Sequence, residues 1–247
     1  MSGHSKWATI KRAKGAKDAK RGKIFTKLIK EIHVATRTGG DDPDANPRLR
    51  LAVQNAKAAN MPKDNIERAI KKASGVDSED YIETTYEGYA PNGVAVMVEC
   101  TTDNNNRTVQ NVRSIFNKYG GNLGTNGSVD YLFERKGVFT LNLPENFDED
   151  ELTLELIDAG AEDVDFNENM AIVTCAMEDF GQMQKSLDGL NVEIENGELQ
   201  RIPSTTVELS DEEVSSVIKL IDAMEDDDDV QKVYHNLEIS EGQEGLV

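Results

Sequence analysis

Long apolar runs are missing from these 247 residues. The longest, Val94 to Val98, falls far short of the roughly 20 residues that cross a bilayer, and no signal-peptide core is present. No membrane association is therefore expected. Cysteine is nearly absent: Cys100 and Cys175 each end an apolar, strand-like run, which fits buried thiols in a reducing cytoplasm and excludes a disulfide framework. Histidine is also scarce. His4, His33 and His235, with no H-E-x-x-H or C-x-x-C, leave zinc without a ligand set, and His33, next to the apolar Ile32, reads as a structural residue. There is no G-x-S-x-G, and neither cysteine has a local partner that would make it a nucleophile. The expectation is a non-enzyme with no catalytic residues, no metal and no cofactor.

Positive charge is in deficit over the whole chain, since 27 Lys plus Arg stand against 46 Asp plus Glu, a net charge of −19. Taken as an average, that argues against a nucleic-acid partner. The average describes neither part of the chain. Residues 1–75 carry 18 basic and 7 acidic side chains, net +11, whereas residues 76–247 carry 9 and 39, net −30. A basic piece is joined to an acidic one.

Within the first 30 residues ten basic side chains face a single acid, Asp18. Lys6, Lys11, Lys14, Lys17, Lys20 and Lys23 recur about every three residues, which would put them along one side of a helix. Too few apolar residues lie between them to fix the segment by burial, so residues 1–23 read as a mobile basic arm. Each lysine that replaces a counterion on a phosphate is favoured by counterion release, with log K falling by about 0.9 per contact per decade of salt. Trp7, the only tryptophan, sits beside Lys6 and is suited to stack on an exposed base. The candidate nucleic-acid-binding residues are Lys6, Trp7, Lys11, Arg12, Lys14, Lys17, Lys20, Arg21 and Lys23.

Hydrophobic periodicity organises the remainder. Ile24, Phe25, Leu28, Ile29, Ile32 and Ala35 recur at helical spacing and predict a helix from about Arg21 to Thr38, ended by Gly39-Gly40. Asn46-Pro47 opens a second helix, with Leu49, Ala52, Val53 and Ala56 inward. Pro62 opens a third, with Ile66, Ala69, Ile70 and Ala73 inward and Gly75 as its stop. Past Gly75 the period becomes 2. Strands at 81–89 and 94–100 flank the turn Ala90-Pro91-Asn92-Gly93; a helix from about Arg107 to Tyr119 and a strand at 129–133 follow. Residues 138–200 then spell βαββαβ, the ferredoxin-like order. A strand at 205–209, a capped helix at 210–224 and a strand at 230–237 finish the chain.

The expected fold is α+β with three domains: a basic arm at 1–23, a helical domain at 24–76, an α/β domain from 77–134 plus 203–240, and an inserted ferredoxin-like domain at 135–202.

Three polar motifs invite functional readings and have simpler ones. Gly120-Gly121-Asn122-Leu123-Gly124 follows a helix, whereas phosphate loops open one, so a helix stop with a tight turn is expected. The run Glu225 to Asp229 has neither the glycine nor the glutamate that an EF-hand requires; it reads as a solvated loop that helps to end a helix. Asp103-Asn104-Asn105-Asn106-Arg107-Thr108 reads as a cap.

The opening Met1-Ser2-Gly3-His4-Ser5-Lys6-Trp7-Ala8-Thr9-Ile10-Lys11 resembles the start of the YebC/PmpR family. So do Gly22 to Lys27, Asp42 to Arg50, Tyr86-Glu87-Gly88-Tyr89, Asp103 to Thr108 and Gly120 to Gly124, and the likeness runs from Met1 to about Leu237. The resemblance implies an N-terminal helical domain followed by two α/β domains. It also implies a probable DNA-binding transcriptional regulator, or alternatively a translational activator associated with the ribosome that binds ribosomal RNA or tRNA and relieves stalling. Because the family's start falls at Met1, a bacterial cytoplasm is expected rather than a mitochondrion. A DNA reader needs a recognition helix, for which the third helix offers Lys63, Arg68, Lys71 and Lys72 without helix-turn-helix spacing. The −30 remainder would repel a long duplex, and a pocket walled by RNA asks only that the basic module enter. DNA and RNA both stay open as targets.

Overall fold

The computed structural model describes residues 21–75, 80–144, 146–190 and 192–246. The proposed arm, except for its last three residues, lies outside the described residues. Among those described there are seven α-helices and two four-stranded antiparallel sheets, and no helix is long and apolar enough to cross a membrane. The fold is α+β as expected, with an N-terminal helical domain and two α/β domains, one a βαββαβ unit inserted into the other.

Chain contacts divide the described residues into two compact units: 21–31, 80–134 and 203–246 form the first, 32–75 and 135–202 the second.

Helix α1 (Arg21–Gly39) begins in the first unit and runs into the second. Its apolar stripe is only partly used: Ile32 and Ala35 are buried, but Ile29, expected inward, is 37 % exposed.

Helices α2 (Pro47–Ala58) and α3 (Lys63–Ser74) follow in the second unit. The loop before α2 is locked by Asn46. Its Oδ1 accepts from Leu49 N (3.1 Å) as an N-cap, while Nδ2 donates to Ala35 O and Gly40 O (2.8 Å each). Arg50 closes the same loop by donating to Pro43 O (3.1 Å) and Asp44 O (2.8 Å).

The first unit's sheet has the order β3-β1-β2-β8, where β1 is Ile82–Tyr89, β2 Ala95–Thr102, β3 Asn122–Leu123 and β8 Val230–His235. The β1–β2 hairpin closes through the expected turn, with Asn92 and Gly93 at φ +62° and +78°. Helices α4 (Asn105–Lys118) and α7 (Asp211–Glu225) cover one sheet face, where Val96, Val98, Val112, Phe116, Leu220 and Ile221 are buried. Ala95 and Met97 point to the opposite face and pack with Val129 and Phe133.

Edge strand β3 is possible because Gly121 has no side chain. A Cβ there would lie 2.6 Å from Tyr89 O and 2.9 Å from Leu220 Cδ1.

Two expected strands in this unit are not formed. Residues 129–133 contain a 3₁₀ turn at Asp130–Leu132, and Phe133 already starts the next strand. The cause is Glu87, a buried carboxylate on β1. It accepts from Gly127 N (2.7 Å), Val129 N (2.8 Å) and Asp130 N (3.0 Å), donors that a ladder would have needed. Residues 205–209 make only a parallel bridge, Val207 with Leu237, through Val207 N donating to Asn236 O (2.8 Å) and Glu238 N donating to Val207 O (2.9 Å).

The second unit contains the ferredoxin-like sheet, order β5-β6-β4-β7, from β4 (Phe133–Asn142), β5 (Ala161–Asn167), β6 (Met170–Ala176) and β7 (Glu193–Pro203). Helices α5 (Glu149–Asp158) and α6 (Phe180–Gly189) bury Leu156, Met183 and Leu187 against Phe139, Leu141 and Val173. Helix α2 is tied to this domain. Asn55 Nδ2 donates to Gly197 O (3.0 Å), Gly197 N donates back to Asn55 Oδ1 (3.3 Å), and Gln184 Nε2 donates to Gln54 Oε1 (2.8 Å).

Candidate nucleic-acid interface

Of the nine residues proposed to bind nucleic acid, Lys6, Trp7, Lys11, Arg12, Lys14, Lys17 and Lys20 lie outside the described residues. Arg21 and Lys23 are in the first turn of α1, so the helix starts inside the segment read as an arm. Arg21 is exposed, its guanidinium 5.3 Å from the centre of the Phe25 ring. Lys23 is 43 % exposed and is held by Asp226, with Nζ 2.9 Å from the backbone O and 3.3 Å from Oδ1.

Lys23 is the first of three lysines on one stripe of α1, at i, i+4 and i+7. Lys27 Nζ donates to Glu225 O (2.9 Å), and Lys30 Nζ donates to Asp228 O (2.7 Å), Thr101 O (3.0 Å) and Asp229 Oδ1 (3.0 Å). The reason lies in α7. Its last turn carries no basic residue, so the open carbonyls and negative dipole end of that helix are satisfied by cations from α1. The run Glu225 to Asp229 is therefore not simply the solvated loop that its composition suggested.

Asp229 is buried and forms the centre of an ion cluster. Arg107 grips it with a fork, Nε 3.1 Å from Oδ2 and Nη2 2.9 Å from Oδ1, and Thr108 Oγ1 lies 2.9 Å from Oδ2. Burial pushes the Asp229 carboxyl up, but hydrogen bonds from Arg107, Lys30 and Thr108 outweigh it and hold the group below its ordinary value.

The Asp103 to Thr108 motif does cap α4, as expected, through Asn104 Oδ1 accepting from Arg107 N (3.1 Å). It also supplies the cation that neutralises Asp229. That second role was hidden in the sequence, because Arg107 and Asp229 are 122 positions apart. The only available signal was an arginine placed directly after a cap.

The cluster offers no reacting group; its charges are matched and its atoms occupied. The cysteines are passive too. Burial, with Asp227 and Asp229 nearby, pushes the Cys100 thiol up to about 12, and burial and Asp179 push Cys175 up to about 11. Among the described residues no group of three or more His, Cys, Asp or Glu is arranged to hold a metal.

Positive charge facing solvent is found on α3. Lys63, Arg68, Lys71 and Lys72 are exposed, Lys63 lying 3.4 Å from Glu67. Ile66, Ala69 and Ala73 bury the opposite side.

Residues 5–76 match the family model for the N-terminal domain of TACO1/YebC proteins, and residues 81–237 match the model for their second and third domain. A protein of Amoebophilus asiaticus named probable transcriptional regulatory protein is 57 % identical over 239 residues, covering 96 % of this chain and 98 % of the relative. One of the same name from Geobacillus thermodenitrificans is 53 % identical over 242 residues, covering 97 % and 98 %. The crystal structure of a conserved hypothetical protein from Aquifex aeolicus is similar with a TM-score of 0.83 at 50 % identity, covering 91 % of this chain and 93 % of that one.

Proposed function

Because the chain belongs to the TACO1/YebC family, we propose that it is a non-enzymatic regulator of gene expression that binds nucleic acid through its basic N-terminal module. The relatives' name, probable transcriptional regulatory protein, supports regulation. The observation that carries the binding is the charge division, +11 over residues 1–75 against −30 over the remainder. Lys6, Trp7, Lys11, Arg12, Lys14, Lys17, Lys20, Arg21 and Lys23 are the proposed contacts, extended by the exposed face of α3. The domain limits proposed from the sequence go with this reading, and so does a cytoplasmic site of action.

Two targets fit. DNA and transcription follow from the relatives' name. RNA, as in a ribosome-associated translational activator, is favoured by electrostatics: a folded RNA can admit the basic module while the acid-rich surfaces of the body stay clear of it, whereas a long duplex runs past both. Three of the module's lysines, Lys23, Lys27 and Lys30, are also engaged by the end of α7.

Crosslinking in cells followed by sequencing of the attached nucleic acid tests the proposal and separates genomic DNA from messenger and ribosomal RNA. Recovery of no more nucleic acid than a nuclease-treated control, with protein partners retained, would sink it in favour of a protein-interaction scaffold.

A further inference from the structure

Between Asp103 and Asp130 lie 26 residues without a single acid, in a part of the chain where 39 of 172 residues are acidic. At that density about six acids would fall in such a stretch. Helix α4 fills its first half. The side chains of Thr108, Val112 and Phe116 are buried, and Asn106, Gln110, Arg113, Ser114, Asn117 and Lys118 form the exposed outer face. Five of these six line one shallow depression.

Acids at the start of a helix are stabilising by about 0.3–1 kcal/mol each. Helices α5 and α7 each carry three in the first turn; α4 carries none and has Arg107 there instead. Arg113 has no carboxylate partner among the described residues, and the amides of Gln110 and Asn117 make no hydrogen bond there either. The acids of α7 lie along the other flank of α4, where Asn111 Nδ2 donates to Asp227 Oδ2 (3.0 Å); Lys118, with Nζ 5.2 Å from the centre of the Tyr119 ring, stands at the border and also lines a depression with Asp222 and Asp226.

We infer that the outer face of α4 is a second nucleic-acid contact, built for the sugar–phosphate backbone of RNA. The face has no apolar anchor of the kind that a protein interface uses at its centre. It offers two cations for phosphates and a row of amides and a hydroxyl that both donate and accept, as the ribose 2′-hydroxyl requires. Two cations alone are a weak grip on a DNA duplex, whereas the 2′-hydroxyl contacts exist only with RNA. The inference rests on the reading of the basic module as the primary contact, and the experiment separates the two.

The probes are an RNA stem–loop and a DNA stem–loop of the same sequence, titrated with the full chain at several salt concentrations. Gln110→Ala with Asn117→Ala removes the amides without adding charge and should weaken RNA binding about tenfold and DNA binding less, and Arg113→Ala with Lys118→Ala should lower the RNA salt slope by about 1.5. All four side chains are exposed, so unchanged thermal unfolding is the control for folding in both variants. If both α4 variants bind RNA like the parent while Lys11→Ala with Lys14→Ala and Lys17→Ala loses it, the α4 contact is overturned and the N-terminal reading stands. Equal losses on RNA and DNA would overturn the assignment to RNA, and a parent chain that binds neither probe would overturn both readings.

Discussion

Replacing Asp229 by alanine should destabilise the first unit more than any other loss of one charged side chain there. The Asp229 side chain is 6 % exposed and accepts from Lys30, Arg107 and Thr108. Alanine leaves the Lys30 side chain, 9 % exposed, with Thr101 O, Asp228 O and the Tyr81 ring, whose centre is 5.5 Å from Nζ, and no carboxylate. Removing one partner of a buried ion pair costs about 3–5 kcal/mol. Arg107 is 46 % exposed and can turn toward water, which places the cost near the lower end, at about 3–4 kcal/mol or a fall of about 10 °C in Tm.

The pH dependence has a definite sign. Asp229 titrates below its ordinary value in the folded chain, so its contribution is complete above that ordinary value and is lost as the pH falls through the folded one. Calorimetry from neutral pH downward should therefore show the parent losing its advantage over Asp229→Asn only in acid. A double-mutant cycle with Arg107→Ala should give a coupling of about 1–2 kcal/mol. If Asp229→Ala lay within about 1 kcal/mol of the parent at pH 7, with the same acid limb, the cluster would not be what holds α1 to α7.

Other perturbations follow from the same geometry. Glu87→Gln replaces one of the two accepting oxygens by an amide NH2, leaves Gly127 N or the pair Val129 N and Asp130 N without an acceptor, and should cost about 2–3 kcal/mol by urea unfolding, with early hydrogen exchange in residues 127–130. Asn46→Ala strands Ala35 O, Gly40 O and Leu49 N and should cost about 2 kcal/mol or more, detected as lower melting of the second unit. Cys100 and Cys175 should resist a disulfide reagent at pH 8 in the folded chain and react at once in denaturant; fast reaction of the native protein would contradict their burial.

What was legible in the sequence was whatever is local. The 3.6 and 2 periodicities located all seven helices found among the described residues and the ferredoxin-like order, because each element buries its own stripe. Asn46 announced its cap, and the run Asp103 to Thr108 announced one, which Asn104 provides. The failures share a cause, which is a partner far along the chain. Residues 129–133 have a strand's composition, but Glu87, some 40 positions earlier, takes their amides. Asn122-Leu123 looked like part of a turn, yet the absence of a side chain at Gly121 lets it reach Tyr89 and become an edge strand. Asp229 looked like one acid among several, and no local pattern marks it as the one that meets Lys30 and Arg107. At the candidate interface, charge segregation was visible from composition alone. The engagement of Lys23, Lys27 and Lys30 with α7, and the acid-free outer face of α4, become visible only once the helices have faces.

The central claim, that the basic N-terminal module is the nucleic-acid contact, is tested most directly by the salt dependence of binding of the full chain to RNA and DNA stem–loops. With Lys6, Lys11, Lys14, Lys17 and Lys20 changed to alanine, affinity should collapse and the slope of log K against log salt should fall by about 3–4. An unchanged affinity and an unchanged slope on both probes would contradict it.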